Sequence, residues 1–182
     1  MSLADLLRPL DLLFKKHGIR YALIGGYAVA AWGKARATRD VGLFCASGDS
    51  RRLAAALREA SLDFEHRTGD WDDPISEVIR IEQASGTEPF EIDVLIGIRN
   101  APAGLFDRIR AVVIDDLSVP VASPEDMIIL KLLGGSALDL EDGKSILSAQ
   151  KERLDLELLR KICPKRLGAP LEQLIASVNS PS

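Results

Sequence analysis

The sequence has little histidine, little cysteine and no long uncharged apolar run, and each shortage excludes something. The only histidines, His17 and His66, are too few for a His-rich zinc site. Cys45 and Cys163 fit no metal spacing and read as buried thiols in a reducing, cytoplasmic setting. No segment approaches the roughly 18–20 apolar residues that a membrane span needs. Asp5, Arg8 and Asp11 interrupt the N-terminal leucines, so the basic-then-apolar pattern of a secretion signal is missing. An excess of positive charge is missing as well. Lys and Arg total 23 against 27 Asp and Glu, a net charge of −4, which disfavours gripping long nucleic acid through bulk charge. A short basic groove around Lys34, Arg36 and Arg39 is compatible with that balance. What is present is ordinary for a globular chain of 182 residues, with 47% hydrophobic and 27% charged side chains.

The pattern of apolar residues predicts a mixed first part and a helical second part. Leu3, Leu6, Leu7, Leu10, Leu13 and Phe14 recur at helical spacing, with Gly18 placed to end the helix. Strands are expected at 21–24, 40–45, 75–81, 90–96 and 111–114, with a hairpin turn at Ser85-Gly86-Thr87. Short helices are expected at 27–32, after Asp49, and at 103–109. From Ser123 the chain reads as all-helical. Ser123-Pro124-Glu125-Asp126 has capping-box form, Asp139 and Asp155 are placed as caps, and Pro170 as the start of the last helix. With no repeat and no linker, residues 1–122 are expected to form an α+β core and 123–182 a helical part packed on it as one unit.

The chemistry-bearing residues lie around two short strands. Gly25 and Gly26, between a strand and a helix, let backbone approach a ligand, and the helix start offers free N–H groups to a phosphate. A plain tight turn accounts for the glycine pair taken alone. Asp40 opens the next strand, while Asp93 and Glu91 share one face of a later strand because side chains alternate. Asp93 is flanked by Ile92, Val94, Leu95 and Ile96, and a carboxylate in so apolar a run needs a partner or a metal. Acids from two strands beside a phosphate-binding turn suit Mg²⁺-dependent phosphoryl transfer.

The order Gly25-Gly26-Tyr27-Ala28, Gly33, Arg36-Ala37-Thr38-Arg39-Asp40-Val41-Gly42 and Phe90-Glu91-Ile92-Asp93-Val94 resembles the nucleotidyltransferase (polymerase β-like) superfamily. The later run Pro124-Glu125-Asp126, Lys131, Asp139-Leu140-Glu141-Asp142 is similar to the branch that contains toxins of type IV toxin–antitoxin systems. The resemblance spans roughly 21–159. It implies a nucleotidyltransferase-like mixed twisted sheet with flanking helices and a helical C-terminal part. It implies Mg²⁺-dependent transfer of a nucleoside monophosphate from an NTP to an acceptor such as a tRNA end, a small molecule or a protein, and a cognate antitoxin as partner. Residue by residue, it gives Gly25 and Gly26 to the phosphates, and Asp40 and Asp93 to the catalytic metal positions. Lys131 falls near the phosphates, Asp139 and Asp142 in the helical acidic motif, and Arg36 and Thr38 at the nucleotide or its loop.

The departures are as specific as the matches. Gly42 stands where the second Asp of Asp-x-Asp belongs, and Ser136 and Leu138 stand where the branch carries basic residues. Glu91 is the available substitute for the missing metal ligand. The rival reading is therefore a catalytically degenerate nucleotide-binding or protein-interaction module. The loop Asp70-Trp71-Asp72-Asp73-Pro74 could hold a cationic acceptor, although a solvated turn is the commoner meaning of such a cluster. His17 reads as a helix C-cap, and Trp32 and Phe44 as core.

Overall fold

The computed structural model describes residues 2–38, 40–83 and 90–179. The first helix, α1 (Leu3–Lys16), is closed by Ser2 and Asp5 in a reciprocal capping box and buries Leu6, Leu7, Leu10 and Phe14. Gly18 adopts a left-handed φ of 63° just beyond it, and His17 is its C-cap. Strands β1 (Tyr21–Ile24) and β2 (Asp40–Cys45) flank α2 (Gly25–Trp32). Helix α3 (Ser50–Glu59) precedes β3 (Phe64–Thr68), β4 (Ile75–Gln83), β5 (Phe90–Ile98), β6 (Arg110–Ile114) and β7 (Leu117–Val121). Four helices close the chain: α4 (Pro124–Gly134), α5 (Ala137–Ala149), α6 (Leu156–Ile162) and α7 (Gly168–Asn179).

The seven strands form one mixed sheet in the order β3-β4-β5-β2-β1-β7-β6. β2 runs parallel to β5 and β1 parallel to β7, while the other neighbours are antiparallel. This is the α+β architecture that the resemblance implies, a mixed sheet with flanking helices and a helical C-terminal part. Val41, Leu43 and Cys45 of β2, and Ile92, Val94 and Ile96 of β5, are fully buried on one face. The apolar cluster they belong to also takes in Met127, Ile128, Ile146 and Leu159, from beyond residue 122. Trp32 packs on this core and donates from Nε1 to the Ala122 carbonyl at 2.7 Å, and Phe44 stacks on Phe106. Cys45 is buried, and that burial pushes its thiol up to about 12; Cys163 is only half-buried. No helix among the described residues is long and apolar enough to cross a membrane.

Several local expectations need correction. Helix α2 starts at Gly25, two residues before Tyr27. The stretch 103–109 is a single 3-10 turn, Leu105–Asp107, because Gly104 takes a left-handed φ of 73° and Arg108 reaches across to the buried Asp126. Ser123 caps α4, but Asp126 spends its carboxylate on Ser123 Oγ and Arg108, so no reciprocal box forms. Asp49 sits at the N-cap of α3 without a side-chain cap bond. Ser136, three residues before Asp139, is the N-cap of α5, and α7 begins at Gly168 ahead of Pro170. Asp155 does cap α6, through Leu158 N–H at 2.9 Å. Ser85, Gly86 and Thr87 lie outside the described residues, although β4 and β5 pair antiparallel on either side of them.

Candidate nucleotide site

The register of β2 against β5 sets the geometry. Asp40 is opposite Glu91 and Gly42 is opposite Asp93, so all four positions share one sheet face. Ile24, at the end of β1, is opposite Gly42 on that same face. The chain then turns into α2 through Gly25, whose φ of 71° is left-handed. A Cβ on Gly25 would lie 3.8 Å from Gly42 Cα, so the turn stands directly over the gap left by the missing side chain. The α2 N-terminus has no side-chain cap, which leaves its first amides free for a ligand. Gly26 is needed for a different reason. A Cβ there would come within 2.8 Å of Thr38 Cβ, so Thr38 packs on bare backbone. The Thr38 hydroxyl in turn donates to Asp40 Oδ1 at 3.3 Å.

A second charged cluster joins α4, α5 and the loop after α2. Arg36 donates two bonds to Asp142, at 2.9 and 3.0 Å. Lys131 bridges Asp139 and Asp142, at 2.9 and 2.8 Å. Asp139 also closes the capping box with Ser136. The Asp142 side chain is only 4% exposed. Burial pushes its carboxyl up, but the bonds and charges of Arg36 and Lys131 outweigh that and hold it below the ordinary carboxylate range. In Asp139, too, burial is opposed and outweighed by bonds from Lys131 and Ser136. Arg36 and Lys131 thus spend most of their charge on this cluster, and the reading of Asp139 as a cap becomes a place at the third helical position.

The glycine turn and the charged cluster of α4 and α5 meet at a cavity of about 300 Å³ lined by Ile24, Gly25, Leu95, Met127, Leu130, Lys131 and Asp139, with Arg99 and Arg166 on its wall. Lys131 therefore opens on the same cavity as the glycine turn. Among the described residues neither Arg99 nor Arg166 makes an ion pair, although Arg99 donates to the Trp71 carbonyl. Trp71 itself is 87% exposed, as a solvated turn requires. A larger depression of about 420 Å³ lies elsewhere, at Asp11, Tyr21 and β6, and no residue singled out for chemistry lines it. Arg39 lies outside the described residues, and Lys34 is exposed.

Sequence reasoning missed the most telling residue, Arg80. It is the register partner of Asp93 across β4 and β5. Its Nε donates to Asp93 Oδ1 at 2.8 Å and its Nη2 to Oδ2 at 3.1 Å, while Nη1 lies 3.5 Å from Glu91. The hydrogen bonds and charge of Asp93 hold the guanidinium firmly protonated. The apolar run around Asp93 did signal a partner, and the partner is this arginine. Magnesium takes about six oxygen ligands, and a metal pair needs bridging carboxylates. Here Gly42 supplies no oxygen, both Asp93 oxygens are bonded to Arg80, and Glu91 is drawn to the same guanidinium. Among the described residues no group of three or more His, Cys, Asp or Glu could hold a metal ion. The expected ligand set of Asp40, Asp93 and Glu91 does not fit a magnesium pair as it stands.

Comparison with known proteins agrees with the architecture. Residues 1–173 match the profile of a family described as nucleotidyltransferase of unknown function (DUF6036). No curated protein matches the sequence. Among solved structures, the antibiotic-resistance factor ANT(2'')-Ia superposes with a TM-score of 0.61 at 15% identity, covering 96% of this chain and 94% of that one. The same factor in complex with adenylyl-2''-tobramycin gives 0.54 at 16% identity, covering 96% and 95%. An antigenic nucleotidyltransferase-like protein from Paracoccidioides brasiliensis gives 0.56 at 18% identity, covering 97% and 92%. At such identities the likeness is one of fold.

Proposed function

The chain belongs to this nucleotidyltransferase family, and we propose that its cleft binds a nucleoside triphosphate. The observation that carries the reading is the uncapped α2 start, opening through Gly25 on a cavity lined by apolar side chains together with Lys131, Arg99, Arg166 and Asp139. The free amides and the positive end of the helix suit the phosphates. Ile24, Leu95, Met127 and Leu130 offer an apolar bed for a base or sugar, and Arg99 and Arg166 supply charge that no internal acid takes up. Arg36, Lys131, Asp139 and Asp142 hold α4 and α5 against the segment that carries Thr38 into β2, so their work is to position the wall of the cleft.

Transfer of a nucleoside monophosphate to an acceptor, with Mg²⁺, is the second reading. Asp40 and Asp93 on one face beside the glycine turn favour it, while Gly42 and the Arg80 pairing favour binding without transfer. A neighbour solved with an adenylylated antibiotic makes small hydroxyl-bearing acceptors worth assaying beside tRNA and protein.

The test is thermal. Each NTP at one hundred times its Kd should stabilise the chain by about 2.7 kcal/mol and raise Tm accordingly. Gly25→Val, which forces a β-branched residue into a left-handed φ at the turn, should abolish the shift. No shift with any NTP contradicts the binding reading. Incubation with α-labelled NTP separates the two readings: label passed to an acceptor, with release of pyrophosphate, establishes transfer.

A further inference from the structure

Gly42 and Arg80 change the same sheet face in the same direction. One removes a negative charge and the other brings a positive one, at positions on either side of Asp93 in neighbouring strands. We infer that Arg80 is the resident counter-ion of this face, standing where a divalent cation would otherwise hold Asp93, and that ligand binding in the cleft needs no metal.

Three observations converge on this. The register places the Arg80 side chain on the face of Asp93 and Glu91, and its planar fork takes both Asp93 oxygens. Arginine matches a carboxylate bidentately and is more weakly hydrated than an ammonium, so it holds such a pair firmly at a half-exposed site. Magnesium, by contrast, dehydrates reluctantly and needs several oxygens in near-octahedral array. The space is also altered. A Cβ at position 42 would meet Ile24 Cγ1 at 3.3 Å and the Ile24 carbonyl at 3.4 Å, so part of the room a bridging carboxylate needs belongs to Ile24. The Asp40 carboxylate remains, bonded among the described residues by the Thr38 hydroxyl, and by itself gives a cation too few ligands.

The second half of the inference rests on the nucleotide reading above, so the experiment has one arm that does not. In the first arm, Mn²⁺ alone is titrated into the intact chain and followed by electron paramagnetic resonance. The wild type should leave Mn²⁺ free. Arg80→Met, which releases Asp93 and Glu91, should bind it, and Arg80→Met with Gly42→Asp should bind about tenfold or more tightly than Arg80→Met alone, because each added carboxylate raises affinity. Arg80→Lys keeps the charge but not the fork and should fall between wild type and Arg80→Met. Wild-type binding of Mn²⁺ that Asp93→Asn abolishes would overturn the inference, as would Arg80→Met that folds by circular dichroism yet binds no Mn²⁺. In the second arm, NTP affinity is measured in EDTA and in Mg²⁺. Equal affinities support metal-independent binding, and binding seen only with Mg²⁺ overturns it. If no NTP binds in either buffer, the nucleotide reading fails, and the Mn²⁺ arm still decides whether Arg80 is the counter-ion.

Discussion

The helical charge cluster lines the cavity through Lys131 and Asp139, the sheet charge cluster lies on the strand face beside Gly42, and the two are built differently. Arg36, Lys131, Asp139 and Asp142 balance two positive against two negative charges, and each partner satisfies the next. Asp142 at its centre is nearly inaccessible. Asp40, Glu91, Asp93 and Arg80 set three acids against one cation, and the Glu91 side chain is 47% exposed. A closed, balanced cluster fixes elements in place. An open, unbalanced one leaves charge at a surface where a ligand can answer it. The difference separates what holds the cleft together from what remains free to act in it.

Removing the hub of the balanced cluster should show the largest effect. Asp142→Ala strands Arg36 and leaves Lys131 with Asp139 alone, and breaking a buried pair in this way costs about 3 kcal/mol. For a chain of this size the corresponding Tm loss is about 6–12 °C, measurable by calorimetry. A loss no greater than that of Arg80→Met would erase the contrast between the clusters. Next comes Gly26→Ala. Its Cβ would force Thr38 away from the α2 backbone, with an overpacking cost of about 1–3 kcal/mol. It should also weaken NTP binding, because Thr38 and Asp40 move together.

The balanced cluster should further reveal itself in acid. Asp139 and Asp142 titrate below the ordinary value of 3.8 in the folded chain. The folded state then binds fewer protons than the unfolded state, so this stability is fully present above 3.8 and is lost as pH falls through the lower folded values. Urea midpoints measured from about pH 5 to about pH 2 should therefore fall, and Asp142→Asn should flatten the fall. The smallest effect belongs to the open cluster. Arg80→Met should cost less than Asp142→Ala, because the Arg80 and Asp93 side chains keep 31% and 20% exposure against 4% for Asp142. Its consequence is expected in cation binding instead.

The contrast also explains what the sequence disclosed. Strands β1 and β2 were legible to the residue, because Tyr21–Ile24 and Asp40–Cys45 are compact apolar runs bounded by glycine or charge. The strand β3 was not. Glu65, His66, Arg67 and Thr68 are exposed on a sheet edge, where charge protects against stray pairing and hides the alternation. The strand β7 did carry a signal, since Leu117, Val119 and Val121 alternate and are buried, but Pro120 between them argues against a strand. Within the site, spacing along one strand put Glu91 and Asp93 together, and alternation put Asp40 and Gly42 on one face. Arg80 was beyond that reach. Its pairing depends on the antiparallel register of β4 on β5, which is a property of two strands together.

The most direct test of the central claim is hydrogen exchange on the intact chain, with and without saturating NTP. Bound nucleotide should slow exchange at the amides of Gly25 to Ala28 and along the α4 stretch facing the cavity, with little change at the depression beside Asp11 and β6. Protection at that depression, with the α2 start unchanged, would contradict the account and move the functional site away from the glycine turn.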